Sequence, residues 1–196
     1  MKAQLEGVFS KMERKLILKL YLDNRPVSLE LENYITNLSD LTDKLTVMVA
    51  DKNDQFDFAP CVRVLSQDGI DSGIAFHGVP GGHEFTSFVL GLYNAAGPGQ
   101  AIDEDVLKEI NNIQKQIDMK VLVSLSCTMC PDLVIACQRI ATKNKNIKAE
   151  VYDLQHFEDL KKKYNVMSVP CLVINDEQVS FGKKNINQII DIIKQG

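Results

Sequence analysis

The sequence predicts an α/β protein built from two copies of one βαβαββα unit, and three observations lead there. The stretch "SVPCLVIN" at 168–175 is echoed by "FAPCVRVL" at 58–65, so Pro60-Cys61 and Pro170-Cys171 recur at an offset of 110 residues. The segments downstream of each recur as well: "GIAFHG" parallels "QVSFG", and "GHEFTSFVLGLY" parallels the terminal "NINQIIDIIKQ". Between the copies, "AAGPGQ" at 95–100 is the Gly/Pro-dense stretch at the midpoint, which divides the chain into units 1–97 and 98–196.

In the first unit, "PVSLELE" reads as a strand by its alternation, "NYITNLSDLTD" as a helix and "KLTVMVAD" as a strand. A shorter second helix, or none, is expected before "FAPCVRVL". The turn "SQDG", the strand "GIAFHG" and the helix "GHEFTSFVLGLY" complete the copy. The second unit opens with a helix, "AIDEDVLKEINNIQKQI", and then the apolar strand "MKVLVSLS". A helix over Leu133–Thr142 comes next, with Leu133, Ala136, Ile140 and Ala141 mostly sharing one side. "IKAEVYDL" alternates like a strand. "QHFEDLKKKYNV" is amphipathic through Phe157, Leu160 and Tyr164. "SVPCLVIN", "QVSFG" and the final helix close the order.

At 196 residues the chain can bury one large core or two of about 100 residues each. Its 45% hydrophobic and 24% charged residues are those of a globular protein, and a net charge of -4 argues against nucleic acid as a partner. The basic run Lys161–Lys163 sits beside Glu158 and Asp159 and reads as a solvated helix face. The first 22 residues carry a charge every few positions and lack the apolar core of a signal peptide. No run approaches the roughly 18 apolar residues of a membrane span. Five cysteines, an odd number, do not suit a secreted disulfide framework, so a cytoplasmic location is expected.

The chemistry concentrates in "SLSCTMCPD" at 124–132, a CxxC where a strand gives way to a helix. A tetrahedral zinc site needs four ligands. The remaining candidates, Cys61, Cys137, Cys171 and three histidines, have no paired spacing, so no metal is expected. Cys61, Cys137 and Cys171 read as small buried hydrophobes. A disulfide between Cys127 and Cys130 closes a loop too short to stabilise much through chain entropy, and is better suited to redox exchange. The helix start supplies N–H groups and a positive dipole end that stabilise a thiolate. Ser126 or Cys127 is the expected cap, and Pro131 falls in the first turn, where its missing donor matters little. Strand, CxxC at a helix start and a later proline opening a strand form the order of the thioredoxin-like fold. The first copy has no CxxC; "ENYITN" stands in its place. Expected, then, are two tandem thioredoxin-like folds with one working dithiol.

Three motifs carry a closer resemblance: "GHEFTS" at 82–87, "SLSCTMCPD" at 124–132 and "VMSVPCLVIN" at 166–175. Over its whole length the chain resembles the N-terminal domain of the flavoprotein subunit of bacterial alkyl hydroperoxide reductase. That resemblance implies electrons received from a thioredoxin-reductase-like module, fused or separate, which holds FAD and uses NADH or NADPH. It implies delivery to a two-cysteine peroxiredoxin. It also implies roles for four residues: Cys127 and Cys130 as the catalytic dithiol, Glu84 as an acid–base partner brought by the first repeat, and Pro170 as the cis-proline. Thr128-Met129 departs from the His-Asn pair of well-known members. No cofactor is expected in this chain, which has no G-x-G-x-x-G. The alternatives are a general protein disulfide oxidoreductase and a metal-binding module.

Overall fold

Alternating apolar residues give the first strand, β1 (Leu16–Tyr21), a clean inward and outward pattern, and it lies ten residues before the strand expected at "PVSLELE". That stretch instead begins a helix. A computed structural model describes residues 2–51, 54 and 58–196. In it α1 (Lys2–Phe9), which the sequence did not announce, precedes β1, and α2 (Pro26–Ser39) follows. Proline at the first helical position lacks a donor that would be unpaired there anyway. Val27, Leu31, Ile35 and Leu38 are buried at helical spacing, while Leu29 is 62% exposed. The apparent alternation Val27, Leu29, Leu31 was a short window on a 3.6-residue period.

The first unit continues with β2 (Leu45–Val49), β3 (Cys61–Ser66), β4 (Asp71–His77) and α3 (Glu84–Ala96). The expectation of a short second helix or none falls on 52–57, which lies largely outside the described residues. The second unit has α4 (Glu104–Asn111), β5 (Ile117–Val123), α5 (Cys130–Ala141), β6 (Ile147–Asp153), α6 (Glu158–Lys163), β7 (Cys171–Ile174), β8 (Gln178–Phe181) and α7 (Ile186–Gln195). The opening helix α4 is shorter than expected because Ile117 already belongs to β5.

The eight strands form one sheet in the order β2-β1-β3-β4-β6-β5-β7-β8. β1 is parallel to β2 and antiparallel to β3, and β3 is antiparallel to β4. β5 is parallel to β6 and antiparallel to β7, which is antiparallel to β8. Parallel pairing of β4 with β6, Ile74 opposite Ala149 and Phe76 opposite Val151, joins the halves. One hydrophobic cluster runs under both, from Leu18 and Phe88 through Val121 to Ile189. A smaller cluster on the other face is built on Tyr152, Phe157, Leu160 and Tyr164.

Strand directions fix where the site is. β4, β5 and β6 all run the same way, so α3 and α5, each returning along its own strand, are parallel and begin at the same end of the sheet. They pack on one another. A Cβ on Gly91 of α3 would fall 2.7 Å from the Gln138 side chain of α5, so only glycine allows this approach.

The helical assignment of α2 has a measurable consequence. Leu31→Ala should destabilise the protein by about 2–5 kcal/mol in urea unfolding, whereas Leu29→Ala should change it by less than about 0.5 kcal/mol. A strand over these residues would give equal losses.

Candidate functional site

Cys127 and Cys130 are joined in a disulfide, with Cα atoms 5.5 Å apart. Their positions differ from the expected helix start. The helix α5 begins at Cys130, with Met129 as its cap residue and no side-chain cap, so neither Ser126 nor Cys127 caps it. Asp132 in that first turn complements the dipole, and the N–H of Cys127 instead closes a turn on Ser124 O at 2.9 Å. Proline at the second helical position is what holds the start so late. The outcome is asymmetric: Cys130 is fully buried and Cys127 is half-buried.

Pro170 follows a cis peptide bond and ends the loop before β7. Antiparallel pairing sets Cys171 opposite Leu122, so the proline lies at the same sheet end as the dithiol. Its carbonyl accepts from Gly182 N at 2.9 Å; Pro60, also cis, accepts from Gly78 N at 2.9 Å in the first unit. Exposed methionines stand on both segments: Met129 is 50% exposed between the cysteines, and Met167 77% in the loop leading to Pro170. A groove of about 390 Å³ beside that loop is lined by Ser124, Leu154, Glu158, Met167 and Val169.

Glu84 is the first residue of α3 and is fully buried, not a solvated carboxylate at a helix start. Tyr34 OH donates to Pro80 O at 2.6 Å and holds the loop that carries it. The loop then meets the dithiol segment directly: His83 N donates to Leu125 O at 3.0 Å, two residues before Cys127. At Gly82, φ is +54°, and a Cβ would lie 2.6 Å from that same carbonyl, so glycine is required twice over. Ser87 Oγ donates to Glu84 Oε2 and lies 2.9 Å from Glu84 O, while Oε1 has no hydrogen-bond partner among the described residues. Burial raises the carboxyl to about 7, against the pull of Ser87 in the other direction. Asp153, at the end of β6, is a second buried carboxyl at this sheet end, also raised by burial.

The other three cysteines, Cys61, Cys137 and Cys171, are free and fully buried. Among the described residues no three His, Cys, Asp or Glu side chains converge on a metal-sized site. No helix among them is long and apolar enough to cross a membrane. Sequence reading missed the contact of Ser87 with Glu84, although their spacing of three inside "GHEFTS" was a usable signal. It also missed Arg25. In the first unit the segment after β1 is "LDNRP", not the expected "ENYITN", because the strand itself lies earlier. There Arg25 Nη1 donates to His156 O of the second unit at 3.0 Å and Nη2 to Ala59 O, with the guanidinium 5.5 Å over the Phe157 ring. An inter-unit clasp occupies the place of a dithiol.

The buried carboxyl gives stability a pH dependence with a definite sign. With the ordinary value at 4.5 and the folded one near 7, the folded state holds the extra proton between them. Glu84 therefore favours folding below about 4.5, and that contribution is lost as pH rises through 7, at up to about 1.4 kcal/mol per unit. Glu84→Gln cannot titrate. Its stability relative to wild type should rise by about 2–3 kcal/mol between pH 4.5 and 8 in paired urea titrations, and Asp153 cancels from the comparison.

The Thioredoxin domain family matches residues 117–194. An alkyl hydroperoxide reductase flavoprotein of the AhpF type from Pseudomonas aeruginosa is 33% identical over 196 residues, all of this chain, which spans 37% of that protein's length. The crystal structure of an N-terminal domain of alkylhydroperoxide reductase AhpF from Enterococcus faecalis superposes with a TM-score of 0.93 at 37% identity, covering 98% of this chain and 97% of that one. A protein disulfide oxidoreductase from Aeropyrum pernix shares the fold at a TM-score of 0.85 and 17% identity, covering 98% of this chain and 90% of that one. The chain belongs to the family of N-terminal, tandem thioredoxin-like domains of the alkyl hydroperoxide reductase AhpF.

Proposed function

We propose that this chain is a cytoplasmic thiol–disulfide electron carrier that reduces a two-cysteine peroxiredoxin and is itself reduced by a thioredoxin-reductase-like flavoprotein module. FAD and the nicotinamide cofactor belong, on this reading, to that module. The observation that carries it is the disulfide between half-exposed Cys127 and buried Cys130 at the start of α5, in a chain of this family. The boundary at 97/98 belongs to the same reading, with one dithiol unit and one unit that serves it.

The order of events follows from exposure. In the reduced protein the Cys127 thiolate attacks a disulfide sulfur of the partner; that bond breaks and one partner sulfur leaves as thiolate. Cys130 then loses its proton to Glu84, and its sulfur attacks Cys127. The intramolecular disulfide forms, the second partner sulfur leaves, and two electrons have passed. Glu84, near 7, accepts a proton at neutral pH and can give it up again. Pro170 brings main chain, not a side chain, to the sheet end where the partner must dock. Exposed Met129 and Met167 suit an adaptable apolar contact there.

The test compares rates. The reduced chain should reduce a two-cysteine peroxiredoxin disulfide much faster than insulin disulfides; equal rates would favour a general disulfide oxidoreductase. Cys127→Ser should abolish transfer. Cys130→Ser should accumulate a mixed disulfide with the peroxiredoxin on a non-reducing gel, and full turnover with no adduct would reverse the assigned order.

A further inference from the structure

A buried group that takes and returns a proton has to be accommodated in two charge states, and among the described residues the Glu84 carboxyl is hydrogen-bonded by Ser87. Both residues are fully buried. Ser87 Oγ is within hydrogen-bond distance of two oxygens of the same glutamate, the carboxyl Oε2 and the main-chain O at 2.9 Å. A hydroxyl has a single proton to donate and lone pairs with which to accept. When Glu84 is ionised, that proton turns to Oε2, in a charge-assisted bond. When a proton sits on Oε2, the hydroxyl turns to the main-chain O and accepts from the carboxyl instead. When the proton sits on Oε1, the first arrangement stays. No heavy atom moves in any of these states. The oxygen left over, Oε1, has no partner among the described residues.

We propose that Ser87 is the positioning residue of Glu84: a hydroxyl rotor that holds the carboxyl in one geometry in both protonation states and leaves Oε1 as the atom that exchanges the proton with Cys130. The proposal rests on the acid–base role of Glu84 in resolving the mixed disulfide. A serine bonded back to a carbonyl one turn earlier is common in helices and by itself means little. The contact with Oε2 is the addition, because it ties the hydroxyl to the charge of the buried group.

Few other groups compete for that role. From α5, the titratable side chains on the face shared with α3 are Cys130 and Cys137. The ionisable side chains of β1, β3 and β4 alternate with the core residues Leu18, Val64 and Phe76, and so lie on the other face of the sheet. The α1 helix offers exposed Glu6, and α2 offers Tyr34, whose hydroxyl is engaged by Pro80 O. Asp153 ends β6, where Gln155 N donates to its Oδ1 at 3.1 Å.

The experiment follows the Glu84 carboxyl directly, by carbon NMR of the full chain labelled at the glutamate carboxyl, with Glu84→Gln identifying the resonance. Ser87→Ala should raise the Glu84 midpoint by about one pH unit, a tenfold change in proton affinity, since it removes the bond that favours the charged form. Ser87→Thr keeps the hydroxyl and should stay within about 0.3 unit of wild type. The pH profile for resolution of the mixed disulfide should move upward with the same spacing. Should Ser87→Ala fail to fold, Ser87→Cys, similar in size and a weak donor, makes the same prediction. A midpoint unmoved in Ala or Cys would reduce Ser87 to a helix back-bond and overturn the proposal, with the acid–base reading intact. A Glu84→Gln chain that resolves the mixed disulfide at the wild-type rate and pH profile would instead sink the acid–base reading, and with it any part for Ser87 in the reaction.

Discussion

Parallel pairing of β4 with β6 is the constraint on which the dithiol end depends. Each half of the sheet by itself would leave a strand edge open, β4 on one and β6 on the other. Joined, they bury a polar knot along the seam. Arg63 Nη2 of β3 meets Glu150 Oε1 of β6 at 2.6 Å, and Glu150 Oε2 lies 3.1 Å from His77 Nε2 and accepts from Tyr152 OH at 3.0 Å. The His77 ring stacks on Tyr152 with centroids 3.9 Å apart. Burial would push Glu150 up, but His77 and Arg63 outweigh it and hold the carboxylate well below its usual range. A buried ion pair of this kind adds little net stability, because desolvation of both charges offsets their attraction. Its value is in register. A shift of one residue along β6 would carry Glu150 to the apolar face and leave Arg63 without it.

That register is what delivers Glu84. With β4 beside β6 and β6 beside β5, the helices after β4 and β5 lie side by side and begin together. Glycine at 91 sets how close they come, and glycine at 82 sets how the preceding loop reaches Leu125. The first unit has therefore become part of the second unit's site without carrying a thiol of its own. Arg25 fits the same logic. At the sheet position where the second unit has its dithiol loop, the first has a cation whose hydrogen bonds reach into the second unit at His156. A position released from redox chemistry has been turned to holding the two units in register.

Much of this was legible in the residues, and the failures have physical causes. The repeat was readable because a proline opening a strand leaves the same Pro-Cys signature in both halves. The second unit's elements were readable because their apolar periods were long. The assignment at "PVSLELE" failed because three apolar residues at alternate positions fit a strand and one side of a helix equally well, and only the later Ile35 and Leu38 separate them. The start of α5 was misplaced because the apolar pattern begins at Leu133, while the helix begins at Cys130 through backbone geometry that no side chain announces. The burial of Glu84 was illegible for a different reason. Nothing near it in sequence covers it; α5 does, from more than forty residues further on.

The arrangement also explains how one carboxyl can lie near a thiol chemistry that depends on negative sulfur. An ionised Glu84 would oppose the thiolate that the start of α5 favours. Raised to about 7, the carboxyl is protonated in a large share of molecules at neutral pH, so its repulsion is muted when Cys127 attacks. The share that is ionised can take the proton from Cys130 when the mixed disulfide resolves. Burial thus does two things that conflict for an exposed carboxylate: it lowers the charge during attack and raises the basicity during resolution. Both require that the glutamate come from outside the dithiol unit, because the first turn of α5 carries only Asp132, which is exposed to solvent. A second unit without a thiol is the means by which this chain places a carboxyl there.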